Sequence, residues 1–155
     1  MDDEDDHDEL AIVCGNGDIE TVKSMIGKGA SNWDFGLSRA CRGGHIEIVK
    51  LMIEKGATYW DCGLANACKG GNIEIVQLMI ENGANDWNRG MRSVCYREHI
   101  EIVELMIEKG ASPEYVVRQY PVCHQRLQDR TNARELLPEC PLFPIDVLPT
   151  VLKFL

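Results

Sequence analysis

Residues 44–57 read GHIEIVKLMIEKGA, and the spacing of their apolar side chains decides the fold. Ile46, Val49, Met52 and Ile53 fall at i, i+3, i+6 and i+7, on one face of an α-helix, and Ile48 and Leu51 widen that face. Gly56 suits a left-handed C-terminal cap. One partner helix cannot cover so wide an apolar arc. The segment has to bury surface against its own hairpin partner and against a neighbour on either side, which requires units stacked in a row.

Those neighbours are in the chain. Ile19, Ile46, Ile73 and Ile100 each open an IE(I/T)V block, and successive blocks are 27 residues apart. Cys14, Cys41, Cys68 and Cys95, the Gly-Ala pairs beginning at Gly29, Gly56, Gly83 and Gly110, and Trp33, Trp60 and Trp87 keep the same interval. Each unit holds another short helix ahead of this one. Asp34, Asp61 or Asn88 follows the Trp as a candidate N-cap, and Leu37 to Cys41 continue as a helix that Gly43 and Gly44 stop.

At these residues the chain resembles the ankyrin repeats. GHIEIVKLMIEKGA is similar to that family's second helix and Gly-Ala exit, and LxxACxGGH resembles its first helix and the step between the two. The resemblance covers about residues 10–112. Ankyrin units run to about 33 residues with a Thr-Pro-Leu-His start. Here Thr-Pro is missing and only six residues separate Ala57 from Leu64. The family's projecting β-hairpin is cut to a tight W(D/N)xG turn, which resembles the compact repeats of large DNA viruses.

Composition agrees with a globular chain: of 155 residues, 45% are apolar and 26% charged. The net charge of −9 comes largely from residues 2–9, DDEDDHDE, which hold seven of the 25 acids and leave 18 against 16 bases. A nearly neutral body with an acidic tail argues against nucleic-acid binding. The acidic beginning lacks the basic and apolar stretches of a targeting peptide, and no apolar run approaches a bilayer span, so no membrane and a cytoplasmic location are expected. The seven cysteines, four of them at the repeat interval, are expected as reduced thiols. Residues 1–9 are expected as a disordered acidic tail that keeps the end of the array solvated.

Little in the chain suggests catalysis. The recurring cysteines fall where the family places a small residue between helices, and a buried Cys behaves as a small apolar side chain. Strung along an array, they do not converge as metal ligands would. Asp18, His45, Asn72 and His99 share the step before the second helix, where a capping role is expected. Cys123 beside His124 is the best nucleophile pair, yet adjacent residues rarely aim at each other and no orienting group accompanies them. The glycines of CGNG and RGGH lie between helices and lack the strand and the Lys of a phosphate loop. Neither cofactor nor metal is expected. Glu47, Glu74 and Glu101 in the first turns, and Lys55 and Lys109 in the last, suit the helix dipole.

Recognition is better sought where residues change from unit to unit while their neighbours stay fixed. Those positions are Asn32, Tyr59 and Asp86 before the helix, Phe35, Cys62 and Arg89 in its first turn, and Arg39, Asn66 and Ser93 beyond. The ankyrin resemblance implies that the turn and first helix line the concave, partner-binding face. The three tryptophans admit two readings, as fillers of the corner left by the lost hairpin or as interface anchors.

From Ser112 and Pro113 the period breaks, and Arg126, Arg130 and Arg134 stand at helical i, i+4 spacing. An atypical last unit suits an array, whose final apolar side otherwise meets water. The ending FPIDVLPTVLKFL resembles the first helix of an F-box through Pro144, Asp146, Val147, Leu148, Val151, Leu152 and Leu155, although Pro149 departs from that pattern. VLPTVLKFL also resembles the close of a suppressor-of-cytokine-signalling box, and an apolar strip folded back on the last repeat accounts for it equally. The expectation is therefore an all-α, ankyrin-like helical-hairpin solenoid of about four repeats over residues 10–112. Residues 113–155 form a C-terminal cap or truncated F-box-like segment. The chain is expected to bind another protein through the turn and first-helix face of its repeats, as a monomeric, non-catalytic scaffold; the alternative is a substrate adaptor that engages a cullin adaptor through Pro144, Asp146, Leu148, Leu152 and Leu155.

Overall fold

The computed structural model describes residues 5–95 and 99–112, together with Gln125, Gln128 and Asp129. Among the described residues there are eight α-helices and no strand. They form four successive pairs: α1 (Asp5–Asn16) with α2 (Ile19–Gly27), α3 (Trp33–Gly43) with α4 (Ile46–Glu54), α5 (Trp60–Gly70) with α6 (Ile73–Glu81), and α7 (Trp87–Cys95) with α8 (Ile100–Glu108). Along the array α1, α3, α5 and α7 pack tightly in sequence, whereas the second helices of successive units barely meet. The fold is a helical solenoid. Helix α1 reaches back to Asp5, into the stretch expected as a disordered tail.

Side-chain size explains the tight side. Gly36, Gly63 and Gly90 are buried within first helices, where glycine ordinarily costs about 0.5–1 kcal/mol relative to alanine. A Cβ at these positions would stand 2.8, 2.6 and 2.7 Å from the sulfur of Met52, Met79 and Met106, and 3.2, 3.5 and 3.3 Å from that of Cys14, Cys41 and Cys68. Each glycine thus admits a methionine from its own second helix and a cysteine from the unit before. Around these contacts run the buried rows Leu10, Leu37, Leu64 and Met91, and Val22, Val49, Val76 and Val103. Trp33, Trp60 and Trp87 are half-buried and pack against this core.

Each second helix stops as its sequence foretells. At Gly56 φ is 102°, the Ala57 amide reaches the Met52 carbonyl at 3.0 Å and the Gly56 amide reaches that of Ile53 at 2.9 Å, a Schellman ending repeated at the other three Gly-Ala pairs. The shortened connection that follows is a γ-turn. The Trp60 amide bonds the Thr58 carbonyl at 2.8 Å across Tyr59, whose φ of −79° and ψ of 60° are those of an inverse γ-turn centre. Asn32 repeats this conformation between Ser31 and Trp33.

Two expected sets of caps are corrected. Helices α3, α5 and α7 begin at the Trp, so Asp34, Asp61 and Asn88 lie inside the first turn and cap nothing at its start. Their side chains reach the next unit instead. Asp34 Oδ1 accepts the amides of Thr58 at 2.7 Å and Tyr59 at 3.0 Å, Asp61 Oδ1 those of Asn85 at 2.7 Å and Asp86 at 2.9 Å, and Asn88 Oδ1 that of Ser112 at 2.8 Å. Among the four residues before the second helices, only Asp18 makes a cap, to the Thr21 amide at 3.1 Å. His45 Nε2 lies 3.0 Å from the Gly15 carbonyl and Asn72 Nδ2 donates to that of Cys41 at 3.2 Å, both in the preceding unit. Loss of the β-hairpin leaves turn amides and helix-end carbonyls to satisfy, and these side chains supply the partners.

Candidate functional site

The nine variable residues fall on one side of the first helices. Within a unit they stand at i, i+3 and i+7, so Asn32, Phe35 and Arg39 share a face of α3, as do Tyr59, Cys62 and Asn66 on α5, and Asp86, Arg89 and Ser93 on α7. The 27-residue period sets these ladders side by side. Phe35, Arg39, Tyr59 and Arg89 are exposed, while Asn32, Cys62, Asn66, Asp86 and Ser93 are half-buried. Tyr59 is the centre of its γ-turn, with the amides of Thr58 and Tyr59 held by Asp34 and that of Trp60 by the Thr58 carbonyl.

Continuing the ladder adds residues that the sequence reading left out. Position i+10 holds Arg42 and Lys69, both exposed, and the unit before α3 contributes Ile12, the counterpart of Arg39. Ile12 is 56% exposed, Phe35 57% and Tyr59 59%, and the remaining exposed large apolar side chain among the described residues, Ile73, is at 37%. The signal for Ile12 was available, since an isoleucine aligned with Arg39, Asn66 and Ser93 breaks a polar column.

Several of these polar groups have partners already. Asp86 Oδ1 accepts the Arg89 amide at 3.0 Å and so caps α7. Cys62 gathers three donors: the Ser38 hydroxyl at 3.3 Å, the Asn66 amide at 3.7 Å and Arg89 Nη2 at 3.9 Å. Asn66 also donates to the Cys62 carbonyl at 2.9 Å. Together they tie α3, α5 and α7 at mid-face and order the surface between the aromatic and cationic residues.

The remaining described thiols have a different setting. Cys14, Cys41 and Cys68 are buried between first helices, and burial pushes their thiols up to about 11, 12 and 12. Such groups stay protonated at neutral pH and serve packing. Cys123, His124, Arg126, Arg130, Arg134, Pro144, Asp146, Leu148, Leu152 and Leu155 lie outside the described residues.

Charge is divided between the two sides of the array. Exposed Arg39, Arg42, Lys69, Arg89 and Arg92 lie on α3, α5 and α7, whose acids Asp34 and Asp61 each accept two backbone amides. The second helices expose Glu20, Glu47, Glu54, Glu74, Glu81, Glu101 and Glu108, and on the same helices and at their C-terminal ends Lys23, Lys28, Lys50, Lys55 and Lys109 are exposed too, which leaves that side with a small acidic excess. No helix among the described residues is long and apolar enough to cross a membrane.

Comparison with protein families matches residues 10–86 to the model described as ankyrin repeats, in three copies. These residues span the first three helix pairs apart from the start of α1, and α7 with α8 repeats their geometry beyond the match. No curated protein matches the chain.

Proposed function

Residues 10–86 are ankyrin repeats, which are general protein–protein interaction modules, and from that premise we propose that the chain is a non-catalytic scaffold holding a partner protein on the turn and first-helix face. The observation that carries this reading is the coincidence of two independent patterns. Positions where the units differ are positions i, i+3 and i+7 of one helix face, and the most exposed large apolar side chains, Ile12, Phe35 and Tyr59, stand on that same face. Packing leaves these residues unconstrained. Exposed aromatic and Arg side chains on a rigid support are what interface hot spots are made of.

The test is affinity capture from a cytosolic extract with the full chain and with the triple variant Phe35→Ala, Tyr59→Ala, Arg89→Ala. Proteins held by the first and lost by the second are the expected outcome, with thermal midpoints of the two baits within about 6 °C, since surface changes of this type typically alter stability by no more than about 0.5 kcal/mol each. An identical set of captured proteins would place the binding surface elsewhere.

A further inference from the structure

We propose that the partner presents an acidic segment to this face, laying apolar side chains along a diagonal from Ile12 through Phe35 to Tyr59 and its carboxylates against Arg39, Arg42 and Lys69. The proposal rests on the reading of the first-helix face as the binding surface and specifies the chemistry that the face selects.

The diagonal follows from the register. Ile12 occupies the i+7 column in α1, Phe35 the i+3 column in α3, and Tyr59 the i column just ahead of α5, so each step to the next helix moves three or four residues toward its N-terminus. Neighbouring axes about 8–10 Å apart and a rise of about 5 Å over three or four residues put successive anchors roughly 10–11 Å from one another. An extended segment covers that distance in about three residues, so apolar residues at i, i+3 and i+6 fit the line.

The two flanks of the diagonal carry opposite charge. On the C-terminal side stand Arg39, Arg42 and Lys69, with Arg89 beyond; on the N-terminal side of Ile12, α1 exposes Glu9. Beside Ile12 a groove of about 360 Å³ opens between α1 and α3, lined also by Gly15, Asn16, Arg39 and Arg42. Neither guanidinium is held by an ion pair or a side-chain hydrogen bond among the described residues. Two guanidinium groups lining a groove with one aliphatic wall suit a carboxylate, which arginine binds in bidentate geometry. The second-helix side mixes exposed Glu with exposed Lys and has a small acidic excess, so it attracts the same ligand less than the first-helix face does.

A random peptide library displayed on phage and selected on the immobilised full chain tests both levels. The expected outcome is enrichment of acidic sequences with apolar residues spaced about three apart. Synthetic peptides of those sequences then bind at least tenfold more weakly to Arg39→Glu, Arg42→Glu and to Phe35→Ser, Tyr59→Ser, and more weakly as salt rises. Basic or uncharged sequences that still lose binding on Phe35→Ser, Tyr59→Ser would overturn the acidic proposal and leave the face as the binding surface. Sequences indifferent to both variants, or no enrichment, would overturn both. Light scattering that shows a dimer dissolved by the same variants would assign the face to a second copy of this chain and overturn the proposal as well.

Discussion

Burial holds Cys14, Cys41 and Cys68 in the neutral thiol form, and that preference makes stability depend on alkaline pH. Their native values are pushed to about 11, 12 and 12 from the ordinary 9.0. Below the ordinary value the thiol is protonated in both states and the native packing keeps its full advantage. As pH rises through that value the unfolded chain loses protons that the native one retains, so stability falls until the native thiols ionise too. The urea midpoint is expected to be lower at about pH 10.5 than at about pH 8, and the difference to shrink in Cys41→Ala, Cys68→Ala. Equal midpoints at both pH values would mean that these thiols are not desolvated in solution. Asp18 works in the opposite sense. The Thr21 hydroxyl and amide lower its carboxyl, so its contribution is present at neutral pH and is lost as pH falls through the carboxylate range.

The turn between units is stabilised from outside itself. A γ-turn closes around Tyr59 with one internal hydrogen bond, and the amides of Thr58 and Tyr59 point to Asp34 in the preceding helix. The same arrangement at Asp61, and its single-bond version at Asn88, set up an internal comparison. Asp61→Ala removes two charge-assisted bonds at a half-buried site and is expected to cost about 1–2 kcal/mol in urea unfolding. Asp61→Asn keeps an acceptor like that of Asn88 and is expected to retain most of that stability. Equal losses in the two variants would show that these bonds contribute through charge alone. The expectation of a local cap failed because the partners lie 24 and 25 residues away.

In the array as a whole each pair is covered by its neighbours, so stability is expected to be highest in the middle. Helices α4 and α6 bury Ile48, Val49 and Met52, and Ile75, Val76 and Met79. The corresponding side chains of α2 are exposed Thr21, buried Val22 and half-buried Met25. Nearest-neighbour coupling in a solenoid allows such an end unit to open without the rest. Hydrogen exchange should therefore find the amides of α4 and α6 protected over those of α2 by a factor on the order of ten or more. Uniform protection from α2 to α6 would indicate a single all-or-none unit.

The helix pairs, their period and their stacking were determined by the sequence alone. An apolar arc too wide for one partner, repeated every 27 residues with a glycine at each exit, has one economical burial scheme, and periodicity is a local property of the chain. The candidate face was legible to the extent that Phe35, Tyr59 and Arg89 vary where packing residues do not. Only the tertiary structure decided that Arg42 and Lys69 share it, that Asp34 and Asp61 support the next turn, and that the exposed apolar groups line up diagonally. Those features arise between helices, where the lateral offset of one unit on the next sets which side chains meet. That offset follows from the fit of Cys14 and Cys41 beside Gly36 and Gly63, a matter of side-chain volume across units that spacing along the chain does not encode.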